Sequence, residues 1–331
     1  MESQALKARV PTVSLFSEIE KDLPRAEQHI EESLASRDPL LVEISTHLLK
    51  AGGKRLRPAL VMLAAKTHRY DLNRVLPAAT AVEMIHMATL VHDDVVDHSS
   101  LRRGRPTVNA KWSDGYSVLV GDYLFARAFQ MLADTGDNRL VRVMADVVFQ
   151  MSTGEIQQAA TAFKADQTVD DYYDRIAKKT AIFISQACHM GGLVSDAPAS
   201  QVEALTEYGY GLGMGFQIID DILDFTASAS ALGKPIGSDL RAGILTLPVL
   251  HALGTSPRAA SLRKMIESRA VGDAEAREAS DIVRENGSLE HAYQTARSFI
   301  QKAKDRLSEL PPGPAVTNLA VVADFVVDRA F

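Results

Sequence analysis

Ile85-His86-Met87-Ala88-Thr89-Leu90-Val91-His92-Asp93-Asp94-Val95-Val96-Asp97 is an apolar run that ends in three carboxylates, and Arg102-Arg103 follows closely. The run reads as a helix. On a helix, Asp93 and Asp97 stand one turn apart on one face. Ionised carboxylates held that close repel each other unless cations lie between them. A bound hard divalent cation is the simplest remedy, since it prefers oxygen ligands and bridges carboxylates to phosphates.

The same spacing returns in Asp220-Asp221-Ile222-Leu223-Asp224, again at the end of a long apolar helical pattern. One such motif can be a solvated helix face. Two in apolar settings, facing each other across a helical bundle, would form a multi-metal site for a diphosphate. Lys54, Arg57, Arg102, Arg103, Lys179 and Lys234 are dispersed in sequence but could converge on phosphate oxygens, arginine as a planar donor fork and lysine as a point charge. Arg55 and Lys178 read as surface charges. His86, seven residues before Asp93, shares nearly the same helix face; it is either a satisfied core histidine or a substrate contact. Gly209, Gly211, Gly213 and Gly215 fall inside a helical pattern, where each glycine costs roughly 1 kcal/mol against alanine. They indicate close packing, a substrate channel or a locally irregular helix.

Working outward, the periodicity predicts helices over Ser14–Ser36, Pro39–Leu49 and Ala59–Lys66, with a double glycine at Gly52-Gly53 between the last two. Pro77 is expected in the first turn of the helix that runs into Asp93. Long helical patterns cover Tyr116–Ala133, Asn138–Phe163, Val169–Val194 and Gln201–Phe225, and shorter ones fill the remainder to Arg329. No block alternates apolar and polar residues as strands do, and roughly twelve helical segments joined by short loops make a single all-α domain over residues 1–331 the economical reading.

The composition, 46% hydrophobic and 24% charged in 331 residues, is that of a soluble globular protein. A net charge of −6 argues against general nucleic-acid binding. The single cysteine, Cys188, excludes an internal disulfide, suits a reducing compartment, and reads as a small buried hydrophobe. Neither a signal peptide nor a transmembrane segment is expected, and the predicted location is the cytoplasm.

These motifs resemble the trans (all-E) polyprenyl diphosphate synthases over about Leu41 to Leu250. GGKRLRP (52–58), HDDVVD (92–97) with RRG (102–104), KT (179–180), FQIIDDILD (216–224), LGK (232–234) and TLP (246–248) stand in that family's order. The resemblance implies a single large helical bundle around a central cavity, usually a homodimer, with magnesium between the two aspartate motifs, about three ions accompanying the diphosphate. It implies Asp93, Asp94, Asp97, Asp220, Asp221 and Asp224 as metal ligands, Lys54, Arg57, His86 and Arg103 on isopentenyl diphosphate, and Arg102, Lys179, Thr180, Gln217 and Lys234 on the allylic diphosphate. The implied reaction is a head-to-tail condensation through an allylic carbocation, without a protein nucleophile. Ile244 stands where many relatives carry lysine, and the basic terminal cluster of short-chain farnesyl synthases is absent.

Residues four and five before the first aspartate form a tunnel floor in this family when aromatic; here they are Thr89 and Ala88. The face continues through Ile85 to Val82, about 16 Å of helix below Asp93. The expectation is a product longer than geranylgeranyl, about six to ten isoprene units on that helical length, suited to a quinone side chain, with Phe125 and Phe129 further down as the floor. Small residues there can also mean tight helix packing. Release of such a product would involve transient membrane contact. The alternatives are a shorter-chain (C15–C20) synthase, the catalytic subunit of a heteromeric synthase, a catalytically silent partner subunit and, less favoured, a head-to-head coupling enzyme or a terpene cyclase. A cyclase would leave Lys54, Arg57 and Arg103 unexplained.

Overall fold

A computed structural model describes residues 15–226 and 237–328. Its helices are α1 (Leu23–Ser33), α2 (Pro39–Lys50), α3 (Leu56–Ala65), α4 (Leu72–Val96), α5 (Val108–Lys111), α6 (Asp114–Asp134), α7 (Asn138–Thr161) and α8 (Val169–Ile176). They continue as α9 (Ile182–Val194), α10 (Ala199–Thr226), α11 (Ser238–Arg241), α12 (Leu247–Thr255), α13 (Ala259–Glu267), α14 (Asp273–Glu285), α15 (Ser288–Arg306) and α16 (Pro314–Asp328). The all-α expectation is met. Among the described residues, extended pairing is confined to β1 (Leu101–Arg102) and β2 (Arg105–Pro106), so the basic loop is a small hairpin.

α4 shows how sequence becomes position here. Asp71 caps it by accepting the Asn73 N–H. Every residue from Ala78 to Ile85 is buried, so the helix is wrapped on all sides, by α3, α6, α9 and α1. It is long and apolar enough to cross a membrane by composition alone, but 67% of its most apolar window is buried inside the bundle. Pro77 corrects the expectation: the helix starts at Leu72, so proline sits in its interior and leaves the Asn73 carbonyl without its usual i+4 donor. Pro24 similarly corrects the first predicted helix. A 3₁₀ turn (Ser17–Ile19) comes first, and α1 begins at Leu23 with proline in its opening turn, where a missing N–H is harmless.

α10 is a regular helix, and its glycines are explained by close packing. A Cβ on Gly209 or Gly213 would lie 2.7 Å from Ser185 Cα or 2.5 Å from Ala181 Cα, while Gly211 and Gly215 press on Phe299–Ala303 and Ile300 of α15. Their spacing puts two on each of two faces. The predicted Val169–Val194 helix is continuous in direction, but a π-turn over Ala177–Ala181 separates α8 from α9. That turn is the element pressed against Gly213, and it carries Lys179 and Thr180. Both aspartate motifs thus end helices, α4 and α10, that lie in the middle of the bundle.

Candidate active site

Two adjoining cavities collect most of the predicted residues. The first, about 280 Å³, is lined by Asp93, Asp97, Arg102, Lys179, Gln217, Asp220 and Asp221, together with Gln158, Arg175, Asp239 and Ile244. The second, about 400 Å³, is lined by Lys54, Arg55, Arg57, Glu83, His86 and Arg103, with an apolar wall of Leu15, Phe16, Phe216, Val322, Phe325 and Val326. Arg102 and Arg103, adjacent in sequence, serve different cavities because the hairpin places Arg103 in the left-handed region, φ 52°.

In the first cavity α4 and α10 present two carboxylate pairs. Burial and then Glu155 push the Asp93 carboxyl up to about 6. Asp221 is 3% exposed, and burial, then Asp239, raises its carboxyl well above the usual carboxylate range. Tyr172 Oη donates to Asp221 Oδ2 (2.7 Å) and Gln217 Nε2 donates to Oδ1 (2.9 Å), while Thr180 Oγ1 donates to Gln217 Oε1 (2.7 Å). Lys179 Nζ pairs with Glu155 of α7 at 2.6 Å.

One member of each motif, Asp94 in the first and Asp224 in the second, behaves differently. Asp94 is 5% exposed and its Oδ1 accepts from Arg102 Nε and Nη2 at 2.9 and 2.8 Å. Asp224 accepts from Ser238 N–H (3.1 Å), Ser238 Oγ (2.7 Å) and Asp239 N–H (3.3 Å), so it caps the short helix α11. Neither lines the cavity that holds the other four. Lys234 lies outside the described residues.

In the second cavity Arg57 is half-buried, with its Nε shut off from solvent. Its Nη1 donates to His86 Nε2 (3.1 Å), its guanidinium lies 5.0 Å from the Phe183 ring, and its Nε has no partner. Burial lowers its pKa to about 10. Burial and then Arg57 hold His86 well below its usual pKa, so the ring is neutral and accepts. Histidine here faces a cavity instead of sitting satisfied in the core. Arg103 donates to the Gly52 carbonyl, and its guanidinium packs over Gly53, where a Cβ would lie 2.6 Å from its Nη1. Lys54 Nζ lies 4.7 Å from the centre of the Phe325 ring. Arg55 is not the surface charge expected from sequence. Its side chain is 9% exposed and pairs with Glu27 (2.9 Å) and with buried Glu83 (2.7 Å).

Sequence reasoning passed over Glu83, Glu155, Tyr172, Arg175 and Asp239. Arg175 had a legible signal, one turn before Lys179 in the same helical run; Glu155 and Asp239 are single acids with none. Among the chain-length residues, Ala88, Ile85 and Val82 are fully buried and Thr89 is partly buried, its hydroxyl donating to the His86 carbonyl. The Phe125 ring lies 5.7 Å from the His92 ring. Phe129, one turn along α6, is half-buried against the core.

A helical bundle that closes two carboxylate pairs and a separate cation cluster around neighbouring cavities defines a synthase that handles diphosphates. Residues 38–283 match the polyprenyl synthetase family. The chain is 40% identical over 318 residues to heptaprenyl diphosphate synthase component 2 of Geobacillus stearothermophilus, covering 96% of this chain and 99% of that one. A decaprenyl diphosphate synthase from Rhodobacter capsulatus superposes with a TM-score of 0.90 at 39% identity, covering 96% and 98% of the two chains. A polyprenyl synthase from Caulobacter crescentus, complexed with calcium and isoprenyl diphosphate, superposes at 0.91 with 34% identity, covering 96% and 97%. The chain belongs to the polyprenyl synthetase family and is a polyprenyl diphosphate synthase, a prenyltransferase.

Proposed function

We propose that the protein condenses isopentenyl diphosphate head-to-tail with an allylic diphosphate (geranyl, farnesyl or geranylgeranyl) to make a long-chain all-E polyprenyl diphosphate. One observation carries this: two carboxylate pairs with Lys179 around one cavity, and a second cavity lined by the cations Lys54, Arg57 and Arg103. The first suits a metal-bound diphosphate that leaves, the second a diphosphate held without metal.

The donor set fits magnesium. Asp93, Asp97, Asp220 and Asp221 offer only hard oxygen ligands, and burial, with Glu155 and Asp239 adding like charge, raises the carboxyls of Asp93 and Asp221, a cost that a bound cation would relieve. Among the described residues no three acidic, histidine or cysteine groups form a ready-made cage. The ions, about three by the resemblance, would be shared with phosphate oxygens, as magnesium commonly is. Asp94 and Asp224, held by Arg102 and by Ser238 and Asp239, would be less directly available to a cation. Magnesium, when bound, offsets the charge developing on the departing diphosphate. Lys179 and Arg102 would donate to that diphosphate, with Thr180, Gln217 and Lys234 completing its contacts. Arg57, Arg103, Lys54 and neutral His86 would orient isopentenyl diphosphate so that its double bond attacks the allylic carbocation, and the condensed tertiary cation this forms then loses a proton to give the new double bond.

Small Ala88 and Thr89 support a product beyond geranylgeranyl, of a length suited to a quinone side chain. The relatives named for heptaprenyl and decaprenyl products support the same range. Val118 and Leu119 of α6 and Phe149 and Ile156 of α7 are 44 to 71% exposed, an apolar face we assign to a homodimer. The buried lone cysteine suits the reducing cytoplasm, where we assign the enzyme. Product analysis of the purified chain with isopentenyl diphosphate, magnesium and a series of allylic primers is the test. A C20 product alone overturns the length assignment. Activity only after a second, different subunit is added overturns the homodimer in favour of the heteromeric arrangement that the name "component 2" of one relative suggests.

A further inference from the structure

Asp220 and Asp221 are neighbours in sequence but not in surroundings. Asp220 is exposed at the cavity, whereas Asp221 is set back against α8 and the π-turn. A buried carboxylate can rotate about its Cβ–Cγ bond unless donors fix both oxygens, and here both are fixed. Gln217 Nε2 holds Oδ1 from one turn earlier on the same helix. Thr180 orients that amide by donating to its carbonyl oxygen. Oδ2 is held from another helix by Tyr172, which is 0% exposed and donates at 2.7 Å. Tyr172 is itself pinned, by the Arg175 guanidinium 5.6 Å from its ring and by Tyr173 at 5.6 Å. Arg175 is anchored in turn on the Leu245 carbonyl and on Gln167 (2.8 Å).

We propose that Tyr172 is a positioning residue for the second aspartate motif: its buried hydroxyl orients the Asp221 carboxylate so that the remaining lone pair on each oxygen is presented to a divalent cation. This rests on the assignment of Asp221 as a metal ligand. The physical warrant is that each carboxylate oxygen accepts twice, so one neutral donor per oxygen aligns the group without neutralising it. Donors behind a metal ligand typically matter 10- to 100-fold in metal affinity. Thr168, whose side chain and Asp171 form a capping box, starts α8 and sets the register that aims Tyr172 at α10.

The experiment uses the full chain and the shift in unfolding midpoint produced by Mg²⁺ with inorganic pyrophosphate. Wild type is expected to show a magnesium-dependent rise, and Asp221→Asn to lose it. Tyr172→Phe keeps the ring and is expected to need about tenfold more magnesium for the half-maximal rise. Thr180→Val, which frees the Gln217 amide from the other side, is expected to move the same way and covers the case in which Tyr172→Phe does not fold. A magnesium midpoint within twofold of wild type in the folded variant overturns the role of Tyr172 while leaving the metal site standing. No rise in wild type overturns both. A lower metal-free midpoint with unchanged magnesium dependence marks Tyr172 as packing alone and also overturns it.

Discussion

Asp93→Asn should stabilise the metal-free protein while disabling it. Asp93 is largely enclosed, and burial with Glu155 opposite raises its carboxyl from 3.8 to about 6 in the folded state. An acid whose folded pKa exceeds its unfolded value is destabilising when ionised. The penalty is absent below about pH 4, grows as pH rises through 6, and is complete above it. At about 1.36 kcal/mol per pH unit the ceiling is about 3 kcal/mol. Relaxation and water entry reduce this, so urea unfolding in EDTA at pH 8 should show Asp93→Asn more stable by about 1–3 kcal/mol. At pH 4 the two proteins should be equal. With Mg²⁺ and pyrophosphate the order should reverse, because the ligands then stabilise wild type selectively. A variant no more stable than wild type at pH 8, or a gain that persists at pH 4, refutes the reasoning. This is the usual opposition of function and stability: the site holds charges apart for a ligand that is not always there.

Arg57→Met should leave urea stability equal or higher, since its Nε is buried without a partner, yet raise KM for isopentenyl diphosphate by at least about 30-fold; a large stability loss would count against that account. Gly213→Ala drives a Cβ to 2.5 Å from Ala181 Cα, so it should lower stability by about 1–3 kcal/mol and raise KM for the allylic substrate through the displaced π-turn. A stable variant with unchanged kinetics would show that the helices part freely. Ala88→Phe should shorten the products seen by reversed-phase chromatography, and an unchanged distribution would show that the chain does not pass Ala88.

The second aspartate motif was legible because helical spacing and composition are local properties. The same locality explains what was missed. Glu155 is a lone acid on a polar stretch of α7, and only the packing of that helix on the π-turn brings it to Lys179. Arg55 and Arg57 differ by two positions in one basic motif, and nothing local says that the first meets Glu83 while the second faces the cavity.

By itself the sequence determined that the chain is helical, where most helices run, and where its two aspartate motifs fall. Those follow from 3.6-residue periodicity, capping residues and motif spacing, all written within a few turns of chain. Only the tertiary structure decided how the six motif aspartates divide. Asp93, Asp97, Asp220 and Asp221 face the cavity, while Asp94 and Asp224 are taken up by Arg102 and the start of α11. The physical reason is that a carboxylate's role is set by the donors around it, and those donors come from helices far away in the sequence.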